Sequence, residues 1–203
     1  QPFTVAAGKG TNLTFPINDT RKSGWLPPTV AIDSRGGLEL AVPYYWNIAP
    51  NRDATITPKV ATRRGAGVDA EFRYLEPRFE GALGVDLLPN DRTVGKSRDA
   101  LRFKHEGSFA DASGVWKEGR YALRGERVSD DEWWKDFPGS TQAFTPRLLP
   151  LRAEAERAFA LADVQGLAYA RVATMRSLGP GRGTWRTSVK PAARSQVAYS
   201  SSV

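Results

Sequence analysis

Few side chains in this sequence are equipped for catalysis, and their spacing argues against it. Among 203 residues there is one histidine, His105, and no cysteine. That excludes a multi-histidine metal cluster, a thiolate metal site and a disulfide framework. His105 stands between Lys104 and Glu106 in an alternating run and reads as a strand residue rather than a catalyst. No serine has a histidine and an acid placed around it, and no phosphate loop or metal-ligand spacing occurs, so the chain reads as a non-enzyme without metal or cofactor. The acidic pair Asp130-Asp131 beside Trp133-Trp134 has the groups to hold a sugar or a divalent ion bridging phosphates, but a solvated loop is the plainer reading. Arg63, Arg64, Lys96 and Arg98 cluster in two turn-rich places and could contact phosphates. The segment "GPGRG" (179–183) could form an anion-binding nest, although a flexible linker explains it as well.

The formal net charge of +7 suits a partner rich in phosphate or carboxylate, whether nucleic acid, anionic lipid or glycolipid. A nucleic-acid surface needs basic and aromatic residues on one exposed face. Here Lys59 and Arg73 lie among Asp69, Glu71 and Asp86, so that face is of mixed sign and no nucleic acid is expected.

The elements that carry these residues are strands. In Val68 to Tyr74 the even positions are apolar and the odd ones are Asp69, Glu71 and Arg73, a period of two. Phe79, Leu83, Val85 and Leu87 alternate with Glu80 and Asp86, and Ala54, Ile56 and Val60 alternate with Thr55, Thr57 and Lys59. Leu38, Leu40, Val42, Tyr44, Trp46 and Ile48 share one parity, as do Leu26, Pro28, Val30 and Ile32. A three-residue loop at Arg35-Gly36-Gly37 keeps those two sets on one face and supplies glycine for a left-handed residue. It pairs Ile32 with Leu40, Val30 with Val42, Leu26 with Trp46, Pro28 with Tyr44, and Thr29 with Pro43. Proline removes a ladder hydrogen bond, so this hairpin is expected to pair poorly or to lie at an edge. Pro50 and Pro58 fall in a turn and near a strand end, where no special role is expected.

Further strands are expected at roughly 100–105, 115–128, 148–159 and 167–177. The connectors at 34–37, 49–53, 63–67 and 75–78 are short, whereas 89–98 and 129–147 are long and polar. An up-and-down meander puts both long ones on the same side, as in an outer-membrane barrel. Alternation serves equally a soluble β-sandwich acting as a binding module for an anionic ligand, provided a second apolar sheet covers the first. Trp25, Tyr44, Tyr45 and Trp46 lie at strand ends, the level of a bilayer's aromatic girdle. In a barrel, His105 would face the lumen or the surface. No run of eighteen or more apolar residues offers a transmembrane helix. The opening "QPFTVAAGKG" reads as the middle of a longer protein.

The segments "RKSGWLPP" (21–28), "PYYWNIAPNRDATITP" (43–58), "EFRYL" (71–75), "DLLPNDR" (86–92) and "SDDEWWKDF" (129–137) occur in an order and spacing that resemble the LPS-assembly protein LptD family, also called organic solvent tolerance proteins. The resemblance runs from about Gly10 to Leu149; beyond Pro150 only generic strand pattern is present. It implies an all-β fold: an antiparallel meander of about eight or nine strands belonging to a large barrel in the outer membrane of a Gram-negative bacterium. Residues 1–20 would end a periplasmic N-terminal domain, 21–178 would form the first barrel strands, and 179–203 an irregular tail or a further strand. Implied partners are lipopolysaccharide, an LptE-type lipoprotein plug in the lumen, and a periplasmic LPS-bridge protein reached through the N-terminal domain. Pro28, Thr29 and Pro43 match the family's lateral gate, where first and last strands meet. Family cysteines are absent from this sequence.

Overall fold

A computed structural model describes residues 3–7, 11–15, 21–109, 116–137, 148–161, 164–178 and 185–197; for 3–7, 11–15, 161, 164, 185–187 and 191–197 it describes the backbone alone. The fold is all-β. A small hairpin of β1 (Phe3–Ala7) and β2 (Thr11–Phe15) forms one sheet. The second sheet holds β3 (Gly24–Trp25), β4 (Thr29–Asp33), β5 (Gly37–Ala41), β6 (Tyr44–Ala49), β7 (Arg52–Ala61), β8 (Gly65–Leu75) and β9 (Phe79–Asp91). It continues through β10 (Lys96–Phe109), β11 (Trp116–Val128), β12 (Leu148–Leu161), β13 (Val164–Ser177) and β14 (Trp185–Val197). A single helical turn, α1 (Trp133–Asp136), lies between β11 and β12. Every pairing is antiparallel, and from β7 to β14 neighbours in sequence are neighbours in the sheet; β5 and β6 both pair with β7, with β4 beside β5 and β3 beside β6, so the chain is an up-and-down meander whose first hairpin is interrupted. The sheet is not closed among the described residues: β4 and β14 are its two edges.

Period-two alternation becomes two chemically distinct faces because the strands are in register. One row across the sheet reads Trp46, Ala54, Phe72, Leu83, Phe103, Gly125, Leu151. The adjacent row on the opposite face reads Tyr45, Thr55, Glu71, Gly84, Arg102, Glu126. Val30, Ile32, Val60 and Val189 on the apolar side are 65%, 81%, 56% and 64% exposed, so among the described residues no second sheet covers that side. The requirement of a soluble sandwich is not met there. Burial is concentrated instead at one end, where Ala100, Val128, Leu149 and Leu178 pack around Trp133, with Trp134 and Phe137 against them.

Two expectations are corrected. The stretch 89–98 is not a long loop: β9 continues to Asp91, and a turn at 92–95 joins it to β10. Asp91 closes that turn, its carboxylate accepting from the Thr93 amide at 2.9 Å and its carbonyl from the Gly95 amide at 2.6 Å, with Gly95 at φ 74°. Short turns therefore occur at both ends of the meander. Of the two alternatives for the tail, the further strand is present: β14 pairs with β13 from Val164↔Val197 to Arg176↔Trp185. The register of the first hairpin also differs.

Candidate functional site: the first hairpin and the two faces of the sheet

The first turn is closed one residue earlier than expected. Asp33 Oδ1 accepts from the amides of Arg35 (2.5 Å) and Gly36 (2.6 Å), which leaves Ser34-Arg35-Gly36 as the loop and pairs Asp33 with Gly37. Gly37 takes the left-handed conformation, φ 78°. The pairs that follow are Ile32↔Leu38, Val30↔Leu40 and Thr29↔Ala41, so Thr29 opens β4 but does not face Pro43. Beyond this the offset changes: Trp25 pairs with Tyr44 and Gly24 with Tyr45. Pro27 and Pro28 together stand opposite Val42, which is a β-bulge with one extra residue on the edge strand. The bulge moves Trp25, not Leu26, onto the apolar side beside Tyr44, with ring centroids 5.0 Å apart.

The prolines remove specific bonds. The Leu26 amide donates to the Pro43 carbonyl at 2.8 Å, and the return bond of that antiparallel pair is impossible because Pro43 has no N–H. On the other side of the same strand the Val42 amide donates to the Pro58 carbonyl at 3.1 Å, and Pro58 likewise returns nothing. Pro58 is therefore not near a strand end: it sits inside β7, opposite Val68 of β8. Two consecutive rungs, one on each side of the Val42-Pro43 step, carry half their bonds.

Aromatic rings line the apolar side, most of them near the strand ends next to the 76–78 turn; Trp25 and Tyr44, expected at strand ends, lie instead mid-sheet in the row Tyr44, Ile56, Ala70, Val85. Trp25–Tyr44, Tyr74–Phe79, His105–Tyr121, Phe109–Tyr121 and Trp116–Phe159 are ring pairs with centroids 5.0 to 6.4 Å apart. Trp46 belongs to this side and is exposed. Tyr45 does not: its hydroxyl donates to Asp53 Oδ2 at 3.2 Å on the polar face, so it is corrected from the membrane-interface set. His105 lies on the apolar side, across from Gly81 and Leu123.

The basic residues singled out as phosphate contacts divide. Lys96 is exposed. Arg63 is exposed and donates to the Ser34 carbonyl. Arg64 and Arg98 are 4% and 1% exposed and committed to aspartates. Arg64 meets Asp91 at 2.6 Å and Asp136 at 3.1 Å. Arg98 meets Asp130 through two bonds of 2.8 Å, Asp136 at 2.6 Å and Asp91 at 3.2 Å. Both guanidiniums also stack on Phe137, at 4.8 and 5.1 Å. This network fastens the 129–137 segment to the sheet, so Asp130 is an anchor of that segment rather than a freely solvated carboxylate. Burial pushes the Asp130 carboxyl up, but the Arg98 hydrogen bonds and charge outweigh it and hold it below the ordinary aspartate range. Asp131 pairs with Arg176 at 3.0 Å. Sequence reading missed Asp53, which gathers Arg73 at 2.8 Å, Arg21 at 3.2 Å and Tyr45 on the polar face. Its only local signal was an odd-numbered acid in an alternating strand.

The chain is similar to the LPS-assembly protein LptD of Acidovorax sp. (strain JS42), 51% identical over 145 residues covering 68% of this chain and 17% of the relative. It is 49% identical over 146 residues to the LptD of Paracidovorax citrulli (strain AAC00-1), covering 70% and 17%, and 43% identical over 132 residues to that of Burkholderia ambifaria, covering 65% and 16%. The chain belongs, as a partial region, to the LptD family. It spans about a sixth of the length of these relatives. No protein-family profile matches it.

Proposed function

We propose that this region forms the gate-side wall of an outer-membrane β-barrel that inserts lipopolysaccharide into the outer leaflet of a Gram-negative bacterium. The observation that carries the reading is the half-bonded pairing at the sheet's edge, beneath an uncovered apolar face. Pro43 and Pro58 each leave one bond unmade across the Val42-Pro43 step, and the Pro27-Pro28 bulge offsets the edge strand beside it. Each missing bond is worth about 1 kcal/mol net, and more where an orphaned carbonyl faces lipid rather than water. An edge weakened by a few such losses can part from a partner strand with little energy input, which suits a lateral gate formed by Pro28, Thr29 and Pro43. The apolar side meets hydrocarbon, with Tyr74, Phe79 and Tyr121 at its border, Trp46 nearer its middle, and Trp25 and Tyr44 mid-sheet. The polar side, with its Asp53 and Arg102 clusters, faces a lumen able to receive an LptE-type lipoprotein, and residues 1–20 lead toward a periplasmic LPS-bridge protein. Arg63 and Lys96 remain exposed for lipid A phosphates, and no catalytic role is assigned.

Replacing Pro28 and Pro43 together with alanine in the full-length protein is expected to slow lipopolysaccharide export and raise outer-membrane permeability to large antibiotics. Export at the native rate with unchanged permeability would refute the gate.

A further inference from the structure

Among the described residues the apolar face holds a polar assembly that neither gate nor lumen uses. Tyr74 of β8 reaches across the bare backbone of Gly81 in β9 and places its hydroxyl 2.6 Å from His105 Nδ1. His105 Nε2 is in turn 3.0 Å from the Tyr121 hydroxyl of β11, which lies over Gly107. The glycines are required, since a Cβ on Gly81 would lie 2.3 Å from the Tyr74 oxygen and one on Gly107 2.7 Å from the Tyr121 oxygen. Three groups thus make two hydrogen bonds, and proton counting leaves a remainder. A neutral imidazole has one N–H, so it donates to one tyrosine and accepts from the other, and the tyrosine that accepts keeps its own O–H unspent. If the imidazole is protonated, both hydroxyls are left over. In either state a donor on this face seeks an acceptor.

Beside it, Phe109 stacks on Tyr121, and the Arg157 guanidinium lies 5.5 Å from the Phe109 ring and 5.3 Å from that of Trp116. A cation and a leftover hydroxyl donor, set in an aromatic border on an apolar face, complement an acceptor that is anionic and attached to hydrocarbon. We propose that Tyr74, His105, Tyr121 and Arg157 form a binding site for the phosphodiester of a glycerophospholipid on the outward face of the sheet. The site rests on the reading that this face meets lipid. It fixes the wall at the headgroup level several strands away from the loosened hairpin, so one part of the barrel is moored while the other opens.

The test uses the full-length protein in nonionic detergent, titrated with dioleoylphosphatidylglycerol and followed by native mass spectrometry. The Tyr74→Phe/Tyr121→Phe variant keeps both rings and removes both hydroxyls; Arg157→Gln is a second, independent variant. Each should need about tenfold more lipid for equal occupancy, the loss expected for one hydrogen bond to a charged group. Equal occupancy in the wild type and both variants would overturn the site. Displacement of the lipid by millimolar inorganic phosphate would show a small-anion site instead, and equal retention of dioleoylglycerol would show acyl contact alone; either overturns it. If the wild type inserts into membranes yet the variants bind normally, the site fails and the lipid-facing reading stands, whereas a wild type that stays out of membranes defeats both.

Discussion

Pro58 offers the sharpest perturbation, because the effect of replacing it can be worked from one rung. In the native chain the Val42 amide donates to the Pro58 carbonyl at 3.1 Å and receives nothing back. Pro58→Ala supplies the missing N–H opposite the Val42 carbonyl without disturbing the Val68 pair on the other side. The restored bond adds about 1 kcal/mol to the closed rung, and more if the carbonyl is otherwise unsatisfied, so local opening should fall about fivefold or further. Adding Pro43→Ala restores the Leu26 rung too, and if both rungs open together the combined fall is about thirtyfold. Amide hydrogen exchange at Leu26 and Val42 in the full-length protein reads this directly. Exchange of Val85, several strands away, should stay unchanged, and Pro50→Ala in the next turn should be silent. Exchange at Val42 that is equal or faster in Pro58→Ala would refute the argument that the proline, rather than the edge position, loosens the hairpin.

Two further outcomes follow from the arginine–aspartate network. Arg98→Met leaves Asp91, fully buried, with one cation instead of two, and should cost about 3–5 kcal/mol in urea unfolding of the detergent-solubilised protein, whereas Lys96→Met should be near neutral. Because the folded carboxyl of Asp130 lies below its ordinary value of 3.8, its contribution is fully present above that value and is lost as pH falls through the lower folded value; Trp133 fluorescence should report release of the 129–137 segment in strongly acid solution and none between pH 5 and 8.

The all-β meander was legible because the faces differ chemically: Asp69, Glu71 and Arg73 alternate with Val68, Ala70 and Phe72, and only a strand separates them. The hairpin's register was not. Parity of the apolar residues put Leu26 and Pro28 in line with Val30, but the extra residue at Pro27-Pro28 reverses the faces at that point, and Asp33 closes the turn one residue early. Pro58 lies near the end of the alternating run in the sequence, which hides that its missing N–H faces Val42 across the sheet. Arg64 and Arg98 looked like free loop cations because their aspartate partners lie as many as 72 residues away, with no local pattern to announce them. The Tyr74–His105–Tyr121 chain escaped notice for the same reason, joining three strands across two glycines.

Brominated acyl chains quench only tryptophans they can touch, which puts the outward face to the question most directly. Variants of the full-length protein, reconstituted in vesicles, would each have a single tryptophan, either Trp46, 49% exposed on the apolar side, or Trp133, 1% exposed within the 129–137 segment. The account predicts strong quenching of Trp46 and none of Trp133; an unquenched Trp46 would contradict it.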